Sequence, residues 1–460
     1  MKRIGMRSWV VLLFAAMLLL GAGIYVGRFL KKGNDWVAFP VNKHLYSNAS
    51  LKRGEIKDIK GLTLLKNEEN GKKSYSKNKD TRTATLHLIG DKKGNIATSA
   101  QNKFAYLMSG YNKLNGTFSL GSGGGTVTLT VDASVCTEAY KALGGRKGTV
   151  AVCNYKTGDL LCCVSSPSFD PENPPKDITG EEYEGVYINR FISSSFVPGS
   201  IYKLVTAAAL LENGFDWEDF SYTCKGKAVY DGVTVTCSKK HGKLDLGGAL
   251  TVSCNCAFAE LSQELGAIDM ILYANKTHLN NNTITVDDMT TAPGKLNPMG
   301  DKGVLAWSGI GQAKDMVNPA AMLTFVSSIA NGGEAKYPNF IDNVRSSIGV
   351  KLPGGYNHSG GSYMSKETAE ILGDMMRNNV LNNYGEKRFK GMELCAKSGT
   401  AEVDGEKAHS WFVGFSQRED FPVAFVCLAE NGGSGSKTSG DIASAVLKKC
   451  AESMGVKLTD

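Results

Sequence analysis

Three absences narrow the classes of protein to which this sequence can belong. No C-x-x-C pair occurs among its eleven cysteines, which disfavours a zinc ribbon. The net charge of +7 rests largely on lysines between Lys52 and Lys113, without a groove-reading motif or interleaved aromatic residues, which disfavours nucleic-acid binding. A solvated face, or attraction to an anionic envelope surface, is the preferred interpretation of that charge. No second long apolar run follows the N-terminal one, which excludes a sensor with several membrane spans.

The cysteine count is odd, so at least one thiol is free or intermolecular. Cys153 is a candidate partner for Cys162 or Cys163 on a neighbouring strand, and Cys224 and Cys237 are candidates to close a loop. The alternative, which we prefer, is that the cysteines are small apolar core residues in an organism or compartment that does not oxidise them.

The N-terminus carries the one long uncharged run, Ser8–Val26, with basic residues on both sides. This run is long enough to cross a bilayer as one helix. Gly21-Ala22-Gly23 resembles a signal-peptide cleavage site but lies inside the apolar run, which favours an uncleaved anchor. The sequence therefore predicts a cytoplasmic tail at 1–7, a transmembrane anchor at 8–26 and a single-pass protein of the cell membrane with an extracytoplasmic body.

The body divides by composition. Residues 33–120 are polar and lysine-rich, and Thr83–Ile89 is β-like. The glycine-rich stretch Gly121–Gly125 marks a boundary, and residues 126–460 are denser in core residues. A small N-terminal domain at 33–120 and a larger domain at 126–460 are therefore predicted.

The larger domain begins and ends with β-rich segments and is helical between them. Thr126–Asp132 alternates as a strand, a helix follows, and a hairpin surrounds Lys156–Asp159. A three-strand antiparallel meander turns at Asp404-Gly405, and an amphipathic helix near the C-terminus follows it. This order predicts an α+β fold in which helices flank an antiparallel sheet.

Ser200 and Lys203 form the first candidate chemical motif. Pro198-Gly199 ends a loop, and a helix is predicted to begin at or next to the serine. Residues three apart share a helix face, and burial together with the helix N-terminus favours a neutral lysine. A neutral lysine can accept the serine proton and so activate a nucleophile. The alternative, a capping serine and a lysine that reaches solvent, conflicts with the nearly unbroken apolar surface of this helix.

Two further motifs follow in the chain. Ser253-Cys254-Asn255, in a helical segment, offers a hydroxyl relay and an amide. Lys397-Ser398-Gly399-Thr400 opens a late strand, where a lysine and hydroxyls can hold a carboxylate and a glycine leaves room for a substrate backbone. Each motif alone is common: Ser76-Lys77-Asn78 also fits S-x-N, and an ordinary edge strand guarded by lysine explains the third.

The ordered set S-x-x-K, S-x-N and K-S-G-T resembles the penicillin-recognising serine acyltransferases. The resemblance covers roughly Thr126 to the C-terminus. The predicted organisation is similar to that of the monofunctional class B penicillin-binding proteins: it has one anchor and a short N-terminal domain, and it leaves no room for a glycosyltransferase domain. The likeness in the N-terminal domain is confined to RGEIKD (53–58) and RTATLHLIG (82–90). The supporting segments are PGSIYK (198–203), SSPSFDPENP (165–174), INR (188–190), GIGQ (309–312), NPAAMLTFVSSIANGG (318–333), KSGTAEV (397–403) and HSWFVGF (409–415).

The resemblance implies a peptidoglycan D,D-transpeptidase that cross-links stem peptides and is acylated by β-lactams. Ser200 would be the nucleophile that forms the acyl-enzyme, and Lys203 the proton acceptor. Ser253 and Asn255 would relay the proton to the leaving group and hold the acyl chain's amide.

The third motif would then bind the substrate. Lys397, Ser398 and Thr400 would bind the terminal carboxylate, and Gly399 would let the substrate approach. The backbone N–H groups of Ser200 and Thr400 would form the oxyanion hole. No metal or cofactor is expected, and a separate glycosyltransferase is the expected protein partner.

Other functions remain open at this stage. A D,D-carboxypeptidase or endopeptidase uses the same residues with water as the acceptor. A β-lactamase would need a deacylating base, and no Glu-x-x-Leu-Asn segment is present. A non-catalytic envelope scaffold that keeps the fold would be expected to have lost one of the motifs, and all three are present.

Overall fold

A five-stranded antiparallel sheet (the central sheet) organises the larger part of the molecule. The computed structural model describes residues 2–38, 54–68, 72–108, 124–312, 314–352 and 359–458. The predicted hairpin and meander are confirmed, and they join in one sheet because the last meander strand pairs with the first hairpin strand. In spatial order its strands are Leu394–Ala401, His409–Ser416, Val423–Ala429, Gly148–Asn154 and Leu160–Ser166.

Helices cover both faces of the central sheet, as the α+β prediction requires. On one face Cys153 contacts Ser327 of the helix Pro319–Ala330, which packs beside the helix Lys366–Asn379. The helices Ala133–Leu143 and Gly440–Met454 pack together on the other face. Almost every residue of these strands is buried, so their sequences are continuous apolar runs and do not alternate between apolar and polar residues.

A second, six-stranded sheet (the N-terminal sheet) draws strands from three distant parts of the chain. Thr126–Leu129 is parallel to Glu55–Lys57 on one side and antiparallel to Ile341–Arg345 on the other. The predicted boundary at Gly121–Gly125 is only partly described, because residues 109–123 lie outside the described residues. The sheet is completed by the strands Lys351–Leu352, Thr63–Asn67 and Lys73–Tyr75.

The prediction of a strand at Thr83–Ile89 is wrong. This segment contains the end of the helix Lys79–Ala84 and the whole of the short helix Leu86–Ile89. The Asn78 side chain caps the first helix by accepting the Thr81 N–H. All four residues of the second are buried, and a fully buried apolar run has no periodicity that separates helix from strand.

The N-terminal helix Lys2–Ala38 contains the predicted anchor. An 18-residue window of its segment Arg7–Gly33 has a mean hydropathy of 2.4 and is not buried by the rest of the chain, so the helix is long and apolar enough to cross a membrane. The remaining α-helices of the described residues are Ala100–Lys103, Ala105–Met108, Arg190–Ser193, Lys203–Glu212, Leu246–Thr251, Asn255–Leu265, Ala267–Lys276 and Lys302–Ser308.

Short strands and irregular helical turns complete the described chain. The strands are Tyr222–Cys224, Lys227–Tyr230, Val233–Thr236, Gly242–Leu244, Thr285–Val286, Met289–Thr290, Glu334–Lys336 and Ser359–Ser362. The 3₁₀ turns are Glu181–Tyr183, Gly199–Ile201 and Glu386–Phe389, and Val380–Tyr384 and Gly435–Ser439 are π-helical.

All eleven cysteines are free thiols, and ten of them are buried. The predicted candidate pairs are not bonded in this structure. Cys153 lies opposite Leu160 in the hairpin, because a bulge shifts the register between Val152 and Cys153.

Candidate active site

Ser200 lies in the 3₁₀ turn Gly199–Ile201 (the serine turn), directly before the helix Lys203–Glu212 (the serine helix). The α-helix therefore begins three residues after the serine. Residues three apart lie on the same side of a 3₁₀ or an α-helical turn, so Ser200 and Lys203 point the same way. Gly199 has φ +57°, and a Cβ atom there would lie 2.8 Å from the Thr400 carbonyl oxygen, so glycine is needed. The Ser200 side chain is half-buried.

Lys203 is fully buried in the serine helix, and its ammonium or amine group is held by oxygen atoms. Nζ lies 2.8 Å from the Ser253 carbonyl oxygen, 2.7 Å from Asn255 Oδ1 and 3.3 Å from Ser253 Oγ. Ser200 Oγ is not among the hydrogen-bond partners of Nζ within the described residues. Burial lowers the pKa of Lys203 to about 7, because desolvation disfavours the charged form.

Ser253 and Asn255 approach Lys203 from the link between the helices Leu246–Thr251 and Asn255–Leu265. Ser253 has φ +54°, a left-handed conformation that costs free energy in a residue with a side chain. Cys254 is the N-cap of the second helix, and its sulphur accepts the Ala257 N–H. These constraints direct the Ser253 hydroxyl and the Asn255 amide oxygen toward Lys203 Nζ.

Lys397 completes this cluster from the edge of the central sheet. It is fully buried in the strand Leu394–Ala401, and its Nζ lies 3.0 Å from Ser253 Oγ. The Ser398 carbonyl oxygen, also at 3.0 Å, is a second partner. Burial and the nearby charge of Lys203 place the pKa of Lys397 well below its usual value. The hydroxyl of Ser253 is therefore shared by two buried lysines.

The strand Leu394–Ala401 is an edge strand whose outer backbone groups face the site. The Ser398 N–H donates to Tyr384 Oη at 2.9 Å, and the Ala396 carbonyl accepts from Asn379 Nδ2 at 3.0 Å. Because backbone groups alternate along an antiparallel strand, the Thr400 N–H points to this same open edge. Thr400 is exposed and Ser398 is half-buried, so the hydroxyl-bearing face of the strand is the accessible one.

Gly399 faces the opposite way, against the serine turn. A Cβ atom at this position would lie 2.8 Å from the Pro198 carbonyl oxygen, 3.1 Å from Ile201 and 3.2 Å from Trp411. The Trp411 indole N–H donates to the Val197 carbonyl at 2.9 Å and ties the same two segments together. The absence of a side chain thus lets the edge strand pack directly on the turn that carries Ser200.

Tyr384 is a site residue that the sequence patterns did not single out. It lies at the end of the π-helical segment Val380–Tyr384, and its hydroxyl lies 3.0 Å from Ser398 Oγ in addition to accepting the Ser398 N–H. No motif surrounds it in the sequence. Its contact with Ser398 comes from tertiary packing alone.

The cluster has the elements of an acyl-transfer site. A half-buried serine lies one turn from a buried lysine, a second hydroxyl bridges that lysine to another, and an open strand edge supplies N–H donors. The arrangement contains the groups needed to deprotonate a serine and to stabilise an oxyanion.

Comparisons with known proteins identify the family to which the chain belongs. The family model "Penicillin binding protein transpeptidase domain" matches residues 148–451, more than half of the chain. The peptidoglycan D,D-transpeptidase PbpA of Mycolicibacterium smegmatis is 26% identical over 354 residues, which cover 70% of this chain and 71% of that protein. Stage V sporulation protein D of Bacillus subtilis is 27% identical over 358 residues, 72% of this chain and 54% of that protein.

Solved structures show the same fold. The D,D-transpeptidase domain of a peptidoglycan glycosyltransferase from Eggerthella lenta superposes with a TM-score of 0.75 at 25% identity, covering 88% of this chain and 99% of that one. Penicillin-binding protein A of Mycobacterium tuberculosis, as its ceftriaxone acyl-enzyme complex, gives 0.76 at 21% identity, covering 87% and 98%. The chain belongs to the penicillin-binding protein transpeptidase family.

Proposed function

We propose that this chain is a peptidoglycan D,D-transpeptidase that works through an acyl-enzyme on Ser200. The observation that carries the proposal is the sharing of Ser253 Oγ by Lys203 and Lys397, beside the serine turn and an open strand edge. Relatives named peptidoglycan D,D-transpeptidase, and neighbours solved as β-lactam acyl-enzymes, support the same reaction.

Lys203 is the general base in this mechanism. As a neutral amine it has two N–H donors and one lone pair. The Ser253 carbonyl and Asn255 Oδ1 can only accept, so they take the two N–H groups and leave the lone pair for a hydroxyl proton. Ser200 Oγ transfers its proton to this lone pair as it attacks the penultimate D-alanine carbonyl of a stem peptide.

Ser253 then relays the proton to the leaving group. Its oxygen accepts from Lys397, so its own proton is free to pass to the departing amine while it is replaced from Lys203. Asn255 Oδ1 holds Lys203 in place, and one N–H of Nδ2 donates to the Thr236 carbonyl, which leaves the second N–H for the acyl chain. The amine of a second stem peptide attacks the acyl-enzyme, which forms the cross-link and frees Ser200.

The strand edge binds the substrate. The backbone N–H groups of Ser200 and Thr400 form the oxyanion hole. The hydroxyls of Ser398 and Thr400 hold the terminal carboxylate on the accessible face of the strand, and Lys397 supplies N–H donors behind them. Gly399 keeps the strand close to Ser200, so that both donors reach one oxygen atom.

The N-terminal helix anchors the enzyme in the cell membrane, with the N-terminus in the cytoplasm and the catalytic domain outside. Stem peptides lie on that side, and a separate glycosyltransferase that makes the glycan strands is the partner we expect. Residues 33–120 act as a short spacer domain between membrane and catalytic domain.

Labelling with a fluorescent penicillin tests the assignment of the nucleophile. The full chain in detergent should be labelled covalently, Ser200→Ala should not be labelled, and Ser74→Ala should be labelled as the wild type because Ser74 lies in the N-terminal sheet. Labelling that survives Ser200→Ala would refute the mechanism. With a stem-peptide substrate and a D-amino acid acceptor, exchange of the terminal residue identifies a transpeptidase, whereas simple release of D-alanine identifies a carboxypeptidase.

A further inference from the structure

A small insert between the serine helix and residues 252–254 (the Ser253 loop) has too little apolar core to account for its own order. Residues 222–244 (the hairpin insert) form two separate two-stranded sheets. Of its side chains only Cys224, Tyr230 and Val235 are buried, and Val229 is 60% exposed. Units of this size usually need a disulfide or a metal ion in addition to apolar burial. None of the insert's cysteines is disulfide-bonded.

Four side chains converge at the base of the hairpin insert. Cys224, Cys237 and His241 come from the insert and Cys254 from the Ser253 loop, and their ligand atoms all lie within 4.8 Å of one another. Cys237 Sγ is 3.7 Å from Cys254 Sγ, and Cys224 Sγ is 3.5 Å from His241 Nδ1. Ligands placed tetrahedrally around zinc, with a Zn–S distance of about 2.3 Å, are roughly 3.5–3.8 Å apart.

Backbone N–H groups point at all three sulphur atoms. Gly226 N–H donates to Cys224 Sγ at 3.4 Å, Cys256 N–H to Cys237 Sγ at 3.3 Å and Ala257 N–H to Cys254 Sγ at 3.4 Å. Such donors stabilise negative charge on sulphur and form the outer layer of thiolate metal sites. The last two belong to the first turn of the helix Asn255–Leu265, whose N-terminal end also favours negative charge.

We propose that Cys224, Cys237, His241 and Cys254 bind one structural zinc ion. Thiolate and imidazole ligands favour Zn²⁺ over the common divalent cations that prefer oxygen ligands. With three thiolates and one imidazole the four positions of a tetrahedral site are filled, and none is left for substrate. The spacing C-x12-C-x3-H-x12-C contains no C-x-x-C pair, so the sequence signature of a zinc ribbon is absent although the fold brings the ligands together. Cys256, whose thiol contacts Cys237 Sγ at 3.4 Å, lies outside the ligand set.

The ion would also position the active site. Cys254 lies between Ser253 and Asn255, so its coordination fixes the backbone of the Ser-x-Asn motif. Asn255 Nδ2 donates to the Thr236 carbonyl of the insert at 2.8 Å, which orients Oδ1 toward Lys203. This link to catalysis rests on the proposed function, whereas the binding of zinc does not.

Elemental analysis of the purified full chain tests the site directly. We expect about one zinc per chain, loss of the metal in Cys237→Ser and in His241→Ala, and retention in Cys256→Ala, the matched neighbour. His241 is partly exposed, so His241→Ala keeps the experiment informative if Cys237→Ser fails to fold. Cobalt substitution should give the intense visible bands of a tetrahedral thiolate complex.

Two results would overturn the proposal. One is full-length wild-type protein, purified without chelator, that contains no zinc and does not take it up when zinc is added. The other is a disulfide from Cys237 to Cys254 or Cys256, found by mass spectrometry of the untreated chain. Ser200→Ala separates this proposal from the proposed function: it should lose penicillin labelling and keep its zinc.

Acylation kinetics test whether the zinc ion positions the Ser-x-Asn motif. Removal of zinc, by a chelator or by His241→Ala, should lower the second-order rate constant of penicillin acylation at least tenfold and lower Tm. Restoring zinc should recover both properties in the wild type but not in the variant. Zinc loss with an unchanged rate constant would refute the link to the active site.

Discussion

Lys397 and Ser253 lie 144 residues apart in the chain, yet Lys397 Nζ is 3.0 Å from Ser253 Oγ. This contact joins the edge of the central sheet to the helical part of the domain. It also fixes the direction in which the Ser253 hydroxyl can donate its proton, because the oxygen already accepts from a buried lysine.

Ser253→Ala should impair acylation without unfolding the chain. The change removes the hydroxyl that both lysines contact, and it leaves the Ser253 carbonyl that holds Lys203. Loss of a general acid–base group lowers rates by about 10²- to 10⁴-fold, so we expect a decrease of that size in the second-order rate constant for penicillin acylation. Labelling reactions stopped at a series of times measure this rate constant, with Ser74→Ala as the control. A decrease of less than threefold would contradict the relay.

The acylation rate should depend on pH through Lys203. The general base must be neutral, and burial lowers the pKa of Lys203 to about 7. The rate constant should therefore fall about tenfold for each pH unit well below 7 and reach a plateau above about pH 8. A pH profile of penicillin acylation measures this dependence. Lys203→Arg, which cannot become neutral, should be inactive at every pH, and a flat wild-type profile between about pH 5.5 and 8 would exclude Lys203 as the base.

Tyr384→Phe should weaken the site by loosening the strand that carries Ser398. The variant loses the acceptor of the Ser398 N–H and a contact with Ser398 Oγ. Leaving such groups unpaired costs about 1–3 kcal/mol, and we expect roughly a tenfold slower acylation. Tyr273→Phe is the control, because the Tyr273 hydroxyl is buried without a hydrogen-bond partner among the described residues. Equal rates in the two variants would contradict a positioning role for Tyr384.

Gly399→Ala should separate the edge strand from the serine turn. The added Cβ would lie 2.8 Å from the Pro198 carbonyl, which is main chain and cannot rotate away. Overpacking of this kind costs about 1–3 kcal/mol, so Tm should fall together with the acylation rate. Gly180→Ala, where a Cβ meets nothing within 4 Å, is the matched control for both measurements. Unchanged acylation in Gly399→Ala would show that the spacing of strand and turn is not critical.

Patterns that act over short distances were predictable from the sequence. The hairpin around Thr157-Gly158 and the meander around Asp404-Gly405 follow from turn chemistry and alternation, and both are confirmed. The three motifs of the proposed active site could be found by their order along the chain. The structure then places Lys203, Ser253, Asn255 and Lys397 in one hydrogen-bonded cluster.

Features that depend on long-range packing could not be predicted. Tyr384 reaches Ser398 only because the π-helical segment folds against the edge strand. All four residues of the helix Leu86–Ile89 are buried, so no exposed face marks this segment as helical. The approach of Cys254 to Cys237 and His241 depends on how the hairpin insert folds back, and no short spacing in the sequence indicates it.

The pairing of the strand Thr126–Leu129 determines where the chain can be truncated. It is bonded on one side to Glu55–Lys57, which belongs to the N-terminal part of the chain. A chain shortened to begin at Thr126 would keep the proposed catalytic residues but leave this strand with a row of unpaired backbone groups, a template for self-association. Soluble versions of the enzyme should therefore be cut between the membrane helix and Gly54, so that the shared sheet stays whole.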